Sequence, residues 1–185
     1  MIARTLLRRA ALIATLPLLV LASVGDTTAQ DSATGLRIDS DKPVQVEGDT
    51  LEVLEDQSMA VFSGNVRVSQ DTTVLRTGKL VIHYAGGSEG SIAAGGSKIK
   101  KLDATGGVNI QSGTQVATGD AATFDMGTEV LVLTGKRVTL SDGGNVATGC
   151  KLTVAMQSGR AKLTGCGDSG SRPTILLQPQ SVGGN

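Results

Sequence analysis

A glycine-centred strand sentence is written several times along this chain, and it limits the fold more than any other feature. Its first copy is Ala60-Val61-Phe62-Ser63-Gly64-Asn65-Val66-Arg67-Val68. Apolar and small residues run up to the glycine. After it, Val66 and Val68 alternate with Asn65, Arg67 and Ser69, the two-residue period of a half-buried strand. A glycine inside such a pattern marks a bulge or a tight corner. Asp103 to Ile110 and Val132 to Leu140 repeat the sentence. Between the copies runs a second motif, at Arg76-Thr77-Gly78-Lys79-Leu80, Ala117-Thr118-Gly119-Asp120-Ala121 and Ala147-Thr148-Gly149-Cys150-Lys151, with Val46 to Leu51 as its first member. Its glycines, at 48, 78, 119 and 149, are spaced by 30, 41 and 30 residues. The spacing describes a repeat with one insertion, built of units that stack to bury a shared apolar face.

The wider sequence agrees with an all-β fold. Residues 44 to 172 contain no proline, and proline is excluded from central strands. No segment beyond the N-terminus has a helical period. Strands are predicted at Leu36–Val46, Asp49–Leu54, Met59–Ser69, Val74–Leu75, Lys79–His83, Ile99–Asp103, Gly107–Gln111, Thr114–Thr118, Ala121–Asp125, Glu129–Thr134, Arg137–Ser141, Asn145–Thr148, Lys151–Ala155 and Arg160–Thr164. Tyr84 to Ser97, with its five glycines, is the insertion and reads as a long mobile excursion. The expected architecture is an open, twisted antiparallel β-jellyroll of stacked short strands with glycine corners. Its free sheet edges are expected at Arg37–Val46 and Arg160–Thr164.

The alternation assigns one face of the strands to the interior. That face carries Val66, Val68, Leu80, Ile82, Val108, Ile110, Phe124, Leu131, Leu133, Val138, Leu140, Leu152, Val154 and Leu163. Such an interior either fills itself, as a solenoid core does, or leaves a groove for acyl chains; apolar alternation supports both.

The N-terminus reads as a targeting segment. Arg4, Arg8 and Arg9 precede a short apolar run from Ala10 to Val24, and Thr27-Thr28-Ala29 is a fair cleavage site before Gln30. The run is shorter than the ~20 residues of a spanning helix. A signal peptide is therefore expected over 1–29, a linker over 30–35, the β domain over 36–167 and a disordered Gly/Ser/Pro/Gln tail over 168–185. Loss of 1–29 leaves 14 basic and 16 acidic residues, about −2, with no basic stripe for nucleic acid.

Cys150 and Cys166 flank Gln157-Ser158-Gly159 symmetrically. A three-residue hairpin loop centred on Ser158 places them opposite each other, which predicts a disulfide in an exported chain; two unbridged thiols are the competing reading. Two cysteines are too few ligands for zinc. No catalytic signature is present: there is no Gly-x-Ser-x-Gly elbow and no phosphate-binding glycine loop. His83, in a strand pattern beside Tyr84, reads as a surface or loop-edge residue. Asp39, Asp41, Glu47 and Asp49 read as a solvated acidic edge. Neither a metal nor a cofactor is expected.

The run Asp49-Thr50-Leu51-Glu52-Val53, then Ala60 to Val68 with its Phe-x-Gly-Asn-Val core, then Leu80 to Tyr84, resembles the OstA-like family of lipopolysaccharide-transport proteins. The resemblance covers about residues 38–165. It implies a jellyroll whose apolar groove carries lipid A acyl chains across the periplasm, without catalysis. It also implies edge-strand pairing with an inner-membrane LptC-like domain, an outer-membrane LptD-like domain and further copies of the chain, head to tail. The chain is too short for an outer-membrane barrel, and its N-terminus looks cleavable, which favours the periplasmic member over the anchored LptC-like relative. A ligand-free β-solenoid scaffold is the other alternative. Lys98, Lys100, Lys101, Lys136 and Arg137 are rim candidates for lipid phosphates.

Overall fold

The computed structural model describes residues 36, 38–39, 42–85, 98–167 and 171–179. The expected signal peptide, cleavage site and linker lie outside the described residues, as do residues 86–97 of the insertion. The described residues all fall in one compact unit.

Its strands are β1 (Gln45–Glu47), β2 (Thr50–Leu54), β3 (Met59–Gln70), β4 (Thr73–Tyr84), β5 (Ile99–Ser112), β6 (Gln115–Asp125), β7 (Val130–Asp142), β8 (Asn145–Ala155), β9 (Arg160–Thr164) and β10 (Thr174–Leu176). They form a single antiparallel sheet in which β3 to β8 pair consecutively. At one edge β1 and β2 both pair with β3; at the other β9 and β10 both pair with β8. The short strands expected from the sequence are therefore pieces of long ones, of 11–14 residues in β3 to β8. Val74–Leu75 and Lys79–His83, for example, are the two arms of β4.

The repeated glycines explain the continuity. Every ladder from β3 to β8 breaks register at a shared level, between Ser63 and Val66, Thr77 and Lys79, Thr105 and Val108, Thr118 and Ala121, and Thr134 and Val138; the β4–β5 ladder has a second break, between His83 and Tyr84. These bulges bend each strand without ending it, so the sheet carries a crease and two half-sheets. Gly64 enters the crease at φ 77°, a region closed to most side chains. At Gly149 the constraint is space: a Cβ there would lie 2.6 Å from the Thr164 carbonyl oxygen and 2.8 Å from Leu163 Cγ. Residues following the crease glycines tie neighbouring strands together. Asp49 accepts a 2.9 Å hydrogen bond from the Asn65 amide, Asp120 accepts one of 2.8 Å from the Lys136 backbone N–H, and Cys150 is bridged to Cys166.

Three sequence expectations need correction. Among the described residues of the expected strand Leu36–Val46, only Gln45 and Val46 are in a strand, β1 (Gln45–Glu47), so the N-terminal edge is β1 with β2. The hairpin before β9 has a four-residue loop, 156–159, and pairs Lys151 with Thr164, so Cys150 and Cys166 are diagonal neighbours. They bridge nevertheless, with Cα atoms 5.0 Å apart. Within the tail expected to be disordered, Thr174–Leu176 is a strand, because the free second arm of β8 supplies its hydrogen bonds.

Candidate apolar groove and sheet edges

The register sorts the inward side chains into rows that cross the sheet. One row runs Ala60, Ile82, Leu102, Phe124, Leu131, Val154, Ala161. The next runs Phe62, Leu80, Ala104, Ala122, Leu133, Leu152, Leu163. Beyond the crease, Val68, Leu75, Ile110, Ala117, Leu140 and Ala147 form a third. All fourteen residues assigned inward from the sequence face this interior. Eleven are buried, and Val68, Leu140 and Leu163 are partly buried against them. The alternation missed Leu102, masked by Lys100, Lys101 and Asp103, and the small core residues Ala60, Ala104, Ala117 and Ala122. It also missed Leu36, which is 2% exposed, and the lining residues Ile38 and Val44.

The two half-sheets face each other. Leu75 from the second arm and Leu102, Phe124 and Leu131 from the first line one cavity of about 30 Å³, closed over by Ile38 and Val44. That volume is roughly one water's share of liquid. A second, open apolar recess of about 250 Å³ lies between Val44, Val46, Phe62, Ile82, Tyr84 and Ile99. It adjoins the base of the insertion, where the Ala85 N–H donates to the Lys98 carbonyl at 2.8 Å. Burial pushes the Tyr84 hydroxyl up from its ordinary value. The far end of the interior is closed by polar groups that satisfy one another: Thr73 and Ser112 share a 2.9 Å hydroxyl hydrogen bond. The Gln70 amide donates to the Asp39 and Lys42 carbonyls and accepts from the Asp39 N–H. No buried side-chain polar atom among the described residues lacks a partner.

The polar candidates are placed on the outside. His83 lies on the outer face of β4, with Nε2 2.9 Å from Asp103 Oδ2. Lys101 reaches the same oxygen at 2.9 Å, and the Thr123 hydroxyl donates to Asp103 Oδ1 at 2.8 Å. Partial burial pushes the Asp103 carboxyl up, but the bonds from Lys101, Thr123 and His83 outweigh it and hold the group below its ordinary value. Lys101 thus has a partner, whereas Lys136 and Arg137 are exposed beside the crease. Lys42 pairs with Asp71 at 2.6 Å and with Asp39 at 3.8 Å. Of the expected acidic edge, Asp39, Glu47 and Asp49 are exposed and Asp41 lies outside the described residues; no group of three or more potential metal ligands forms among the described residues. A wide cleft outside the crease holds Arg67 and Arg76 side by side, a cationic pair the sequence did not single out.

At the sheet edges the apolar rows emerge into water. Among the described residues, the exposed large hydrophobic ones are Leu51 and Val53 on β2, Ile175 and Leu176 on β10, and Leu177 just after it, 38–64% exposed. Leu51 and Val53 extend the rows of Phe62 and Ala60, and Ile175 extends the row of Ala147. Unpaired backbone and exposed aliphatics together make a template for another strand. No helix among the described residues is long and apolar enough to cross a membrane.

Comparison with known proteins agrees with this arrangement. The chain is 41% identical over 147 residues to an uncharacterized protein of Rhizobium meliloti (strain 1021), covering 80% of this chain and 77% of that one. It is 26% identical over 147 residues to the lipopolysaccharide export system protein LptA of Escherichia coli (strain K12), covering 78% and 75%. In fold it is similar to LptH of Pseudomonas aeruginosa, described as the LptA-homologous periplasmic component of the lipopolysaccharide transport device. The TM-score is 0.62 at 18% identity, over 76% of this chain and 99% of that one. The family described as LptA/(LptD N-terminal domain) LPS transport protein matches residues 45–160. This is a family of non-enzymatic transport proteins, and the chain belongs to it.

Proposed function

We propose that the protein is a periplasmic bridge that carries lipopolysaccharide, holding lipid A acyl chains between its two half-sheets. In this reading it passes them from an inner-membrane LptC-like domain to an outer-membrane LptD-like domain. The observation that carries the reading is the set of aliphatic rows crossing the sheet from edge to edge, ending in exposed Leu51, Val53 and Ile175. A self-contained core has no reason to leave aliphatic residues exposed at both edges of its sheet. Copies joined head to tail extend the rows and make one apolar track. The physical need is clear: each acyl methylene left in water costs ~0.8 kcal/mol, so a chain of about a dozen carbons costs on the order of 9 kcal/mol. An apolar track removes that barrier, while sugars and phosphates stay in water.

A cavity of about 30 Å³ does not hold an acyl chain, so loading requires the half-sheets to part, starting at the open recess beside Val46 and Tyr84. The same small volume favours the second reading, a ligand-free scaffold. Photo-crosslinking from a probe at Phe124 or Leu140, in cells making lipopolysaccharide, decides between them. Adducts at these inward sites and none at outward Thr139 support the conduit; no adduct from inward sites refutes it. Sequencing the mature N-terminus separates the cleaved form from an anchored one.

A further inference from the structure

We propose that β10, fastened by the Cys150–Cys166 disulfide, is half of a docking face that takes the β1–β2 edge of a second copy in one fixed register. The proposal rests on the head-to-tail reading above and supplies its geometry.

The two edges of the sheet are built alike. At the N-terminal edge β2 covers the first arm of β3 and β1 the second, so that edge is level. At the C-terminal edge β9 covers only Lys151–Ala155 of β8. Without β10 the second arm of β8 would stand back by one strand, about 4.8 Å. A level edge cannot pair with both arms across that step. β10 fills it by pairing with Val146–Thr148.

The rows then fix the register. Continuing each ladder by one strand places a second copy's Leu51 opposite Leu163, Glu52 opposite Lys162, Val53 opposite Ala161 and Val46 opposite Ile175. Both new pairs are antiparallel, as is the rest of the sheet. Charge agrees with this pairing and opposes any two-fold alternative. The N-terminal edge carries Glu47 and Glu52, the C-terminal edge Arg160 and Lys162. Like edges would set acid against acid or base against base, and a head-to-tail contact sets acid against base.

The tail is seated by several independent contacts. The disulfide fixes Cys166 at the crease, and the Cys166 N–H donates to the Ser171 carbonyl at 3.1 Å. Gly165 leaves the space that the returning chain crosses, since a Cβ there would collide with the Ser171 carbonyl oxygen. Beyond β10 the Gln178 N–H donates to Asn145 Oδ1 at 3.0 Å, and its side chain lies over Gly144.

Sedimentation velocity of the purified chain over a concentration series tests the proposal. Glu52→Lys and Lys162→Glu are exposed substitutions, and each weakens association about fivefold. A 1:1 mixture of the two regains it, because each variant supplies the charge the other lacks. Truncation after Gly167 removes about two ladder hydrogen bonds and weakens association roughly 25-fold. The Cys150→Ser/Cys166→Ser variant shifts association in the same direction, with circular dichroism confirming its fold. A mixture that associates no better than either variant overturns the register. A truncated chain that associates like the full one overturns the role of β10. A wild-type chain that stays monomeric at every concentration refutes the head-to-tail reading itself, and the proposal with it.

Discussion

Replacing Phe124 with alanine tests whether the interior is packed as the structure shows. Phe124 is 2% exposed. Its row neighbours are Leu102 and Leu131, and it lines the small cavity that Leu75 of the other half-sheet shares and that Ile38 and Val44 close over. The fold has little means of collapsing around the lost ring. Phe124 sits on a strand paired on both sides, so its backbone cannot shift without breaking two ladders. The cost should therefore fall in the range of about 3–5 kcal/mol for a buried Phe→Ala change. For a domain of about 150 residues each kcal/mol lowers Tm by roughly 2–4 °C, so the expected drop is about 6–20 °C. Thermal unfolding followed by far-UV circular dichroism reads it. The same substitution enlarges the cavity, so an apolar dye should bind the variant at least as well as the parent. A Tm drop under about 3 °C would refute the close packing of the half-sheets.

Removing the disulfide by Cys150→Ser should cost about 3 kcal/mol, the loop-closure value for a loop of some 15 residues, against a separation of 16 here; comparing urea midpoints of the two forms checks this. Gly149→Ala drives a methyl into the Thr164 carbonyl and Leu163 and should lower stability by about 1–3 kcal/mol, read in the same titration. Asp103 has a native pKa held below its ordinary 3.8, so the stability it contributes is present above 3.8 and lost as pH falls through the native value. Asp103→Asn should flatten the fall in Tm between about pH 4 and pH 2 relative to the parent, and an unchanged acid limb would show that the His83–Lys101–Thr123 cluster contributes nothing.

Much of the interior was legible in the sequence because strand alternation is local. Successive side chains on a strand point to opposite faces whatever the strand pairs with, so Val66, Leu133 and Val154 could be assigned inward from their neighbours alone. The repeated glycines gave the corners for the same reason: Gly64, Gly78 and Gly119 each interrupt a pattern that resumes on the far side. The failures lie where pairing was decided at a distance. Cys150 and Cys166 were matched correctly, but the hairpin loop has one residue more than symmetry about Ser158 implied. A diagonal contact at the crease still brings the two together. Thr174–Leu176 sits in a composition typical of disorder and is a strand only because β8 offers it an open arm.

The amino-acid sequence by itself determined the repeating unit, the positions of the bends and the face on which each apolar residue lies. The tertiary structure alone decided how closely the half-sheets approach, that Ile38 and Val44 close over their interior, and that the C-terminal edge is level. Facing follows from the covalent geometry of neighbouring residues. The width of the interior and the shape of the edges depend on side chains and backbone brought together from 30 or more residues apart, such as Ile38 with Phe124 and Gln178 with Asn145.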